Sequence, residues 1–133
     1  MKPLLVILID DDPGILNIGK KYLEADGSIL IDTALSAEEA LLKISQSRYE
    51  VIVCDYRMPP GMDAIGLASV LKDRGLEIPL IVFSAWDIDE IPFYERKSRL
   101  MYFLQKTGRP AAVYAELKKM IQSLAGKKDR PSS

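Results

Sequence analysis

Four stretches of this chain are runs of apolar residues with no polar side chain between them: Leu4-Leu-Val-Ile-Leu-Ile9, Val51-Ile-Val-Cys54, Pro79-Leu-Ile-Val-Phe83 and Leu100-Met-Tyr-Phe-Leu104. A strand with one wet face alternates apolar and polar residues, whereas a strand covered by helices on both faces reads as a continuous apolar run. A shorter candidate, Ile29-Leu-Ile-Asp-Thr33, makes a fifth. Each run is too short to cross a membrane, which takes roughly 18 apolar residues. The pattern therefore predicts a parallel sheet sandwiched between helices.

The intervening segments carry helical signals. Asp12-Pro13 reads as an N-cap followed by proline at the first helical position, with Ile15, Ile18, Tyr22 and Leu23 as the apolar stripe and Asp26-Gly27 as the stop. Ser36-Ala-Glu-Glu39 is a capping-box pattern ahead of Ala40, Leu41 and Ile44. A third helix is expected from about Asp63 to Arg74, through Ala64, Leu67, Ala68 and Leu71. A fourth should lie between Asp87 and Arg99, shortened or distorted by Ile91-Pro92. The last, starting near Pro110, presents Val113, Leu117, Met120 and Leu124.

Five strands each followed by a helix, joined by right-handed crossovers, give an α/β doubly wound (βα)5 fold. At 133 residues the flavodoxin-like strand order 2-1-3-4-5 is the natural arrangement. Such a sheet binds ligands at the carboxyl ends of its strands, near the switch point between strands 1 and 3.

Composition narrows the chemistry. The chain has no histidine, which excludes every mechanism needing an imidazole on this chain. Its single cysteine, Cys54, cannot form an internal disulfide and reads as a small buried hydrophobe, so a reducing cytoplasm is the expected location. Net charge is −1, with Lys118 to Ser133 contributing five basic residues against one acid (+4), so residues 1–117 carry −5. An acidic body makes a poor nucleic-acid surface, and no direct nucleic-acid contact and no membrane association are expected.

Strand 1 ends in Asp10 and Asp11, strand 3 in Asp55, strand 4 in Ser84, and strand 5 runs up to Lys106. Three carboxylates gathered in one crevice repel one another unless a cation compensates. An oxygen-rich site with few protein ligands suits Mg²⁺. Asp12 already supplies the helix cap, which leaves Asp10 and Asp11 for the metal. A lysine and a hydroxyl beside such a centre can bind the oxygens of a transferred phosphoryl group. With no imidazole present, the Asp55 carboxylate is the acceptor.

The ordered set Ile7-Leu-Ile-Asp-Asp-Asp-Pro13, Val51-Ile-Val-Cys-Asp-Tyr-Arg-Met-Pro59, Ser84-Ala85 and Lys106 resembles the receiver domain of two-component response regulators of the chemotaxis-regulator type, over about residues 3–125. The resemblance implies that Asp55 is the phosphoacceptor and that Asp10, Asp11, Asp55 and the Arg57 backbone carbonyl hold Mg²⁺. It implies that Ser84 and Lys106 contact the phosphoryl group, that Ser84 and Phe103 form a conformational switch, and that Arg57 and Trp86 flank the acyl phosphate and tune its lifetime. The implied donor is a sensor histidine kinase or phosphotransfer protein. The implied output face, built from the fourth helix, fifth strand and last helix, would act on an output domain, a partner protein or a second copy. No enzymatic activity beyond Mg²⁺-dependent self-phosphorylation and autodephosphorylation is implied.

Residues 1–126 are then the receiver domain and 127–133 a flexible tail or truncated linker. The chain departs from the family pattern in one extra proline within Met58-Pro-Pro-Gly-Met-Asp-Ala64 and in Thr107 after Lys106, where proline is usual. Those departures leave room for a degenerate receiver that works only as an interaction module. A flavin-binding protein of the same fold would need a Ser-, Thr- or Gly-rich phosphate loop after strand 1, where Asp10-Asp-Asp12 would repel the phosphate. An aspartyl phosphatase would need a cap domain, for which the chain has no room.

Overall fold

The structure, a computed structural model, describes residues 2–87, Asp89, Ile91 and residues 100–128. Its elements are β1 (Leu4–Ile9), α1 (Pro13–Glu24), β2 (Ile29–Ala34), α2 (Ala37–Gln46), β3 (Val51–Cys54), α3 (Ala64–Asp73), β4 (Leu80–Ser84), β5 (Met101–Gln105) and α4 (Pro110–Lys128). All strand pairs are parallel, in the order β2-β1-β3-β4-β5. The expected topology is therefore present. Apart from Asp87, Asp89 and Ile91, the helix expected over residues 87–99 lies outside the described residues. At the other end α4 runs to Lys128, two residues past Gly126, and residues 129–133 are likewise outside.

The two-residue period of the strands divides the core in two. Ile7, Ile9, Ile52, Cys54, Leu80 and Val82 face α2 and α3, where Ala40, Ile44, Leu67 and Leu71 meet them. Val6, Leu8, Val51, Val53, Ile81 and Phe83 face α1 and α4, against Leu16, Leu23, Tyr114 and Leu117. Strands β3 and β4 are buried at every position, as their unbroken runs require, and β1 is buried from Val6 to Ile9. The two edge strands depart from the expectation of full burial. Leu30 of β2 is exposed, and only Met101 of β5 is fully buried, because each edge strand lacks a neighbour on one side. Side chains cover part of the β2 edge: Glu24 accepts from the Ile31 N–H (2.8 Å), while Lys20 and Lys43 donate to the carbonyls of Ile31 (3.4 Å) and Thr33 (2.6 Å). Those contacts occupy groups that could otherwise pair with another strand.

The buried stripe of α1 differs from the one expected. It consists of Leu16, Gly19 and Leu23, whereas Ile18 and Tyr22 are 48% and 40% exposed. Gly19 faces the sheet because a Cβ there would stand 2.7 Å from Leu8 Cδ2; glycine lets the helix approach the strand. Tyr22 stacks instead on Tyr114 of α4, with ring centroids 5.0 Å apart. The capping signals are realised. Asp12 Oδ1 accepts from the Gly14 N–H (2.8 Å) and Ser36 Oγ from the Glu39 N–H (3.0 Å). The Glu39 carboxylate reaches back to the Leu35 N–H (3.0 Å).

Leu67 is fully buried between α3 and the sheet. Truncation to alanine removes its packing and leaves a cavity, so Leu67→Ala should lower the unfolding free energy by about 2–5 kcal/mol. Leu42→Ala, at a position 67% exposed, should change it by less than about 0.5 kcal/mol. Urea unfolding of both variants checks the pair.

Among the described residues no helix is long and apolar enough to cross a membrane.

Candidate functional site

The residues singled out at the strand ends are held by extensions of the sheet ladder. The Asp10 N–H donates to the Ala34 carbonyl (3.1 Å), that of Asp55 to Ile9 (3.0 Å) and that of Lys106 to Ser84 (2.8 Å). Each backbone is thus fixed to a neighbouring strand just where the regular element ends. Continuing the strand period, Asp10, Asp55 and Lys106 project toward the α1–α4 face, as Leu8, Val53 and Leu104 do before them. Ser84 and Phe103 follow Val82 and Met101 toward the opposite face.

Asp10, Asp11 and Asp55 each place a carboxylate oxygen within 4.8 Å of the others. Asp10 is 3% exposed; its Oδ1 accepts from the Asp12 N–H (2.9 Å) and its Oδ2 from Lys106 Nζ (3.1 Å). Asp11 is exposed, and Asp55 is half-buried with Oδ1 accepting from the Tyr56 N–H (2.8 Å). Burial pushes the Asp55 carboxyl above its usual range, and nearby Asp10 adds to the rise. Lys106 and a hydrogen bond from the Ser84 hydroxyl oppose it. Three acids against one lysine leave excess negative charge among oxygen ligands, a donor set that fits a hard divalent cation.

Ser84 is buried, and its Oγ also accepts from the Trp86 N–H (3.3 Å). Phe103 is half-buried and lines a cavity of about 120 Å³ together with Val82, Ser84 and Ile91. Cys54 is buried, its thiol pushed well up by burial and then by Asp55 and Asp10, so it is held as an inert thiol.

Arg57 and Trp86 meet each other. The guanidinium carbon of Arg57 lies 5.0 Å from the Trp86 ring centroid and 5.2 Å from that of Tyr56, and the two rings meet edge-on at 5.8 Å. Tyr56 was not singled out in the sequence, although its place beside Asp55 and its full burial make it the base of this cluster. The extra proline is absorbed in a turn: the Gly61 N–H donates to the Met58 carbonyl (3.1 Å), and the Ala64 N–H to that of Tyr56 (3.0 Å). Glu38 of α2 clasps this loop by accepting from the Met62 N–H (3.1 Å), another contact with no local sequence signal. Asp63 still caps α3 by accepting from the Gly66 N–H (2.8 Å).

Known proteins place this architecture. The protein-glutamate methylesterase/protein-glutamine glutaminase of Nocardioides sp. is 32% identical over 85 residues, 63% of this chain and 23% of that protein. The chain thus spans about a quarter of the length of that curated relative. The Francisella response regulator 1452 receiver domain superposes with a TM-score of 0.81 at 29% identity, covering 95% of this chain and 99% of its own. Response regulator TrrA of Thermotoga maritima, solved with Mg²⁺ and BeF, shares the fold with a TM-score of 0.74 at 24% identity, over 91% of this chain and 98% of its own. The sequence model of the response regulator receiver domain matches residues 6–118, so with the observed strand order and strand-end residues the chain belongs to the response regulator receiver family.

Proposed function

We propose that this receiver takes a phosphoryl group onto Asp55 from the phosphohistidine of a sensor histidine kinase or phosphotransfer protein, in the cytoplasm, and relays the change to an output domain, a partner or a second copy. The observation that carries this reading is the convergence of Asp10, Asp11 and Asp55 on one point, with Lys106 and Ser84 at the same rim. Asp10, Asp11, Asp55 and the Arg57 carbonyl are the residues that would hold Mg²⁺. When bound, the ion neutralises charge on the transferring phosphoryl oxygens. TrrA, of the same fold, takes up Mg²⁺ and a beryllofluoride group.

An oxygen of the Asp55 carboxylate attacks phosphorus, the P–N bond breaks, and the electron pair leaves with the imidazole of the donor. Lys106 turns from Asp10 to the phosphoryl oxygens, and the Ser84 hydroxyl follows the new charge. Withdrawal of Ser84 opens the adjoining cavity, where the Phe103 ring can settle. Phe103 lies on the edge strand β5, so its repacking alters the surface of that edge, part of the expected output face.

Incubation with Mg²⁺ and a small acyl-phosphate donor tests the proposal. The intact mass should rise by one phosphoryl group, and an unchanged mass at saturating donor would contradict it. Trp86 and Arg57 should slow hydrolysis of the product by covering it. Trp86→Ala is therefore expected to speed autodephosphorylation several-fold, and Arg57→Ala, which removes the partner of the Trp86 ring, should act in the same direction. Loss of label at the wild-type rate in both variants would remove shielding from the account.

A further inference from the structure

We propose that Phe83 is a positioning residue for Lys106, its ring holding the ammonium over the acidic cluster. The inference rests on the receiver reading and adds to it a residue that the strand-end motifs do not contain. Phe83 is the last residue of β4 on the α1–α4 face, with Ser84 after it turned to the other side. Lys106 Nζ lies over the Phe83 ring, 5.1 Å from its centroid, and 3.1 Å from Asp10 Oδ2. The Lys106 side chain is 20% exposed, so the ring contact is partly desolvated.

The ring is well placed for this work because it cannot turn away. Phe83 is buried, and Tyr114 of α4 meets it edge-on with centroids 5.4 Å apart at 62°. Tyr114 is in turn stacked on Tyr22 of α1, at 5.0 Å and 6°. Beyond Lys106 the chain offers less support. Thr107 follows, its N–H turned to the Gln105 carbonyl (3.0 Å), and Gly108 is exposed with φ +78.

The two contacts on Lys106 differ in kind. Asp10 is a charged partner that the metal would engage, and its hold on the lysine weakens once its charge is shared. The attraction of the ring depends on its quadrupole and persists whatever the state of the acids. Phe83 therefore keeps the ammonium near Asp55 when Asp10 is committed elsewhere. An aliphatic side chain of similar size would fill the core and lose that hold.

The test compares wild type with Phe83→Leu, and with Phe83→Met as a second near-isosteric variant should the first fail to fold. In the metal-free protein, the Lys106 ε-methylene protons should resonate upfield in wild type through the ring current and return toward ordinary values in the variant. In the presence of Mg²⁺, beryllofluoride affinity should fall about three- to tenfold, as expected for loss of a partly desolvated cation–ring contact. Mg²⁺ affinity should not change. In a Lys106→Met background, Phe83→Leu should have no further effect on beryllofluoride affinity. Absence of the upfield shift in wild type would overturn the proposal, as would an equal loss of affinity with and without Lys106, the mark of a merely structural role. Failure of wild type to bind beryllofluoride would instead overturn the receiver reading, and the ring-current shift would still report on the contact itself.

Discussion

Asp55→Asn should abolish phosphorylation, leaving the intact mass unchanged under conditions that add one phosphoryl group to nearly every wild-type molecule. The amide has no anionic oxygen with which to attack phosphorus, and Asp55 is the acid that the Ser84 hydroxyl hydrogen-bonds. The same variant should be more stable than wild type without metal. Burial, and then Asp10, make Asp55 harder to ionise in the fold than in the unfolded chain. A raised carboxyl pKa means that the folded state holds the proton more tightly, so this group's contribution to stability falls as pH rises through the folded value. The variant's advantage should therefore be present near neutral pH and should narrow as pH falls toward the unfolded value of 3.8. Urea unfolding at a series of pH values measures it. An advantage that grew on acidification would show the sign to be wrong.

Removal of a metal ligand should have the second largest effect, and Asp10 and Asp11 separate its consequences. Asp11 is exposed, so Asp11→Ala should leave metal-free stability within about 0.5 kcal/mol of wild type. Its Mg²⁺ affinity should nonetheless fall by at least about a hundredfold, the upper end of what loss of a mere supporting group costs a metal site. Asp10→Ala should lose Mg²⁺ affinity to a similar degree and also destabilise the fold. Asp10 is buried and pairs with Lys106 at 3.1 Å, and its Oδ1 holds the Asp12 N–H at the start of α1. Removing it strands both partners. Calorimetric Mg²⁺ titration and urea unfolding of the two variants supply the comparison. Equal stability losses in both would contradict the distinction drawn between them.

The sheet was legible because its central strands must be apolar on both faces, a constraint that shows as unbroken runs at β1, β3 and β4. The acids were legible for the converse reason: a carboxylate directly after four buried residues is costly unless something uses it. The buried face of α1 is not legible from chemistry alone, because Ile18 and Tyr22 look like core residues yet stand exposed. The true contact is made by Gly19, whose value lies in a side chain it lacks, and periodicity carries no signal for that. The β2 and β5 edges are less buried than their apolar runs imply, because a short run does not reveal whether neighbours cover it. Tyr56, Glu38 and Phe83 escaped notice because their roles depend on contacts across the fold. Glu38 meets Met62, Tyr56 meets Trp86, and Phe83 meets Lys106. The meeting of Arg57 with Trp86 is of the same kind. Each residue was legible as a neighbour of the site, but the stacking that joins them exists only once β3 and β4 lie side by side.

The central claim is that this receiver binds Mg²⁺ and a phosphoryl group at Asp55, and Trp86 is placed to report both. It is the only tryptophan, its ring packs against Arg57 and Tyr56, and its backbone N–H donates to the Ser84 hydroxyl oxygen. Its fluorescence should change on titration with Mg²⁺ and change again on addition of beryllofluoride, with the second step absent in Asp55→Asn. A beryllofluoride step that survives in Asp55→Asn, or no response of the wild-type protein to either addition, would contradict the account.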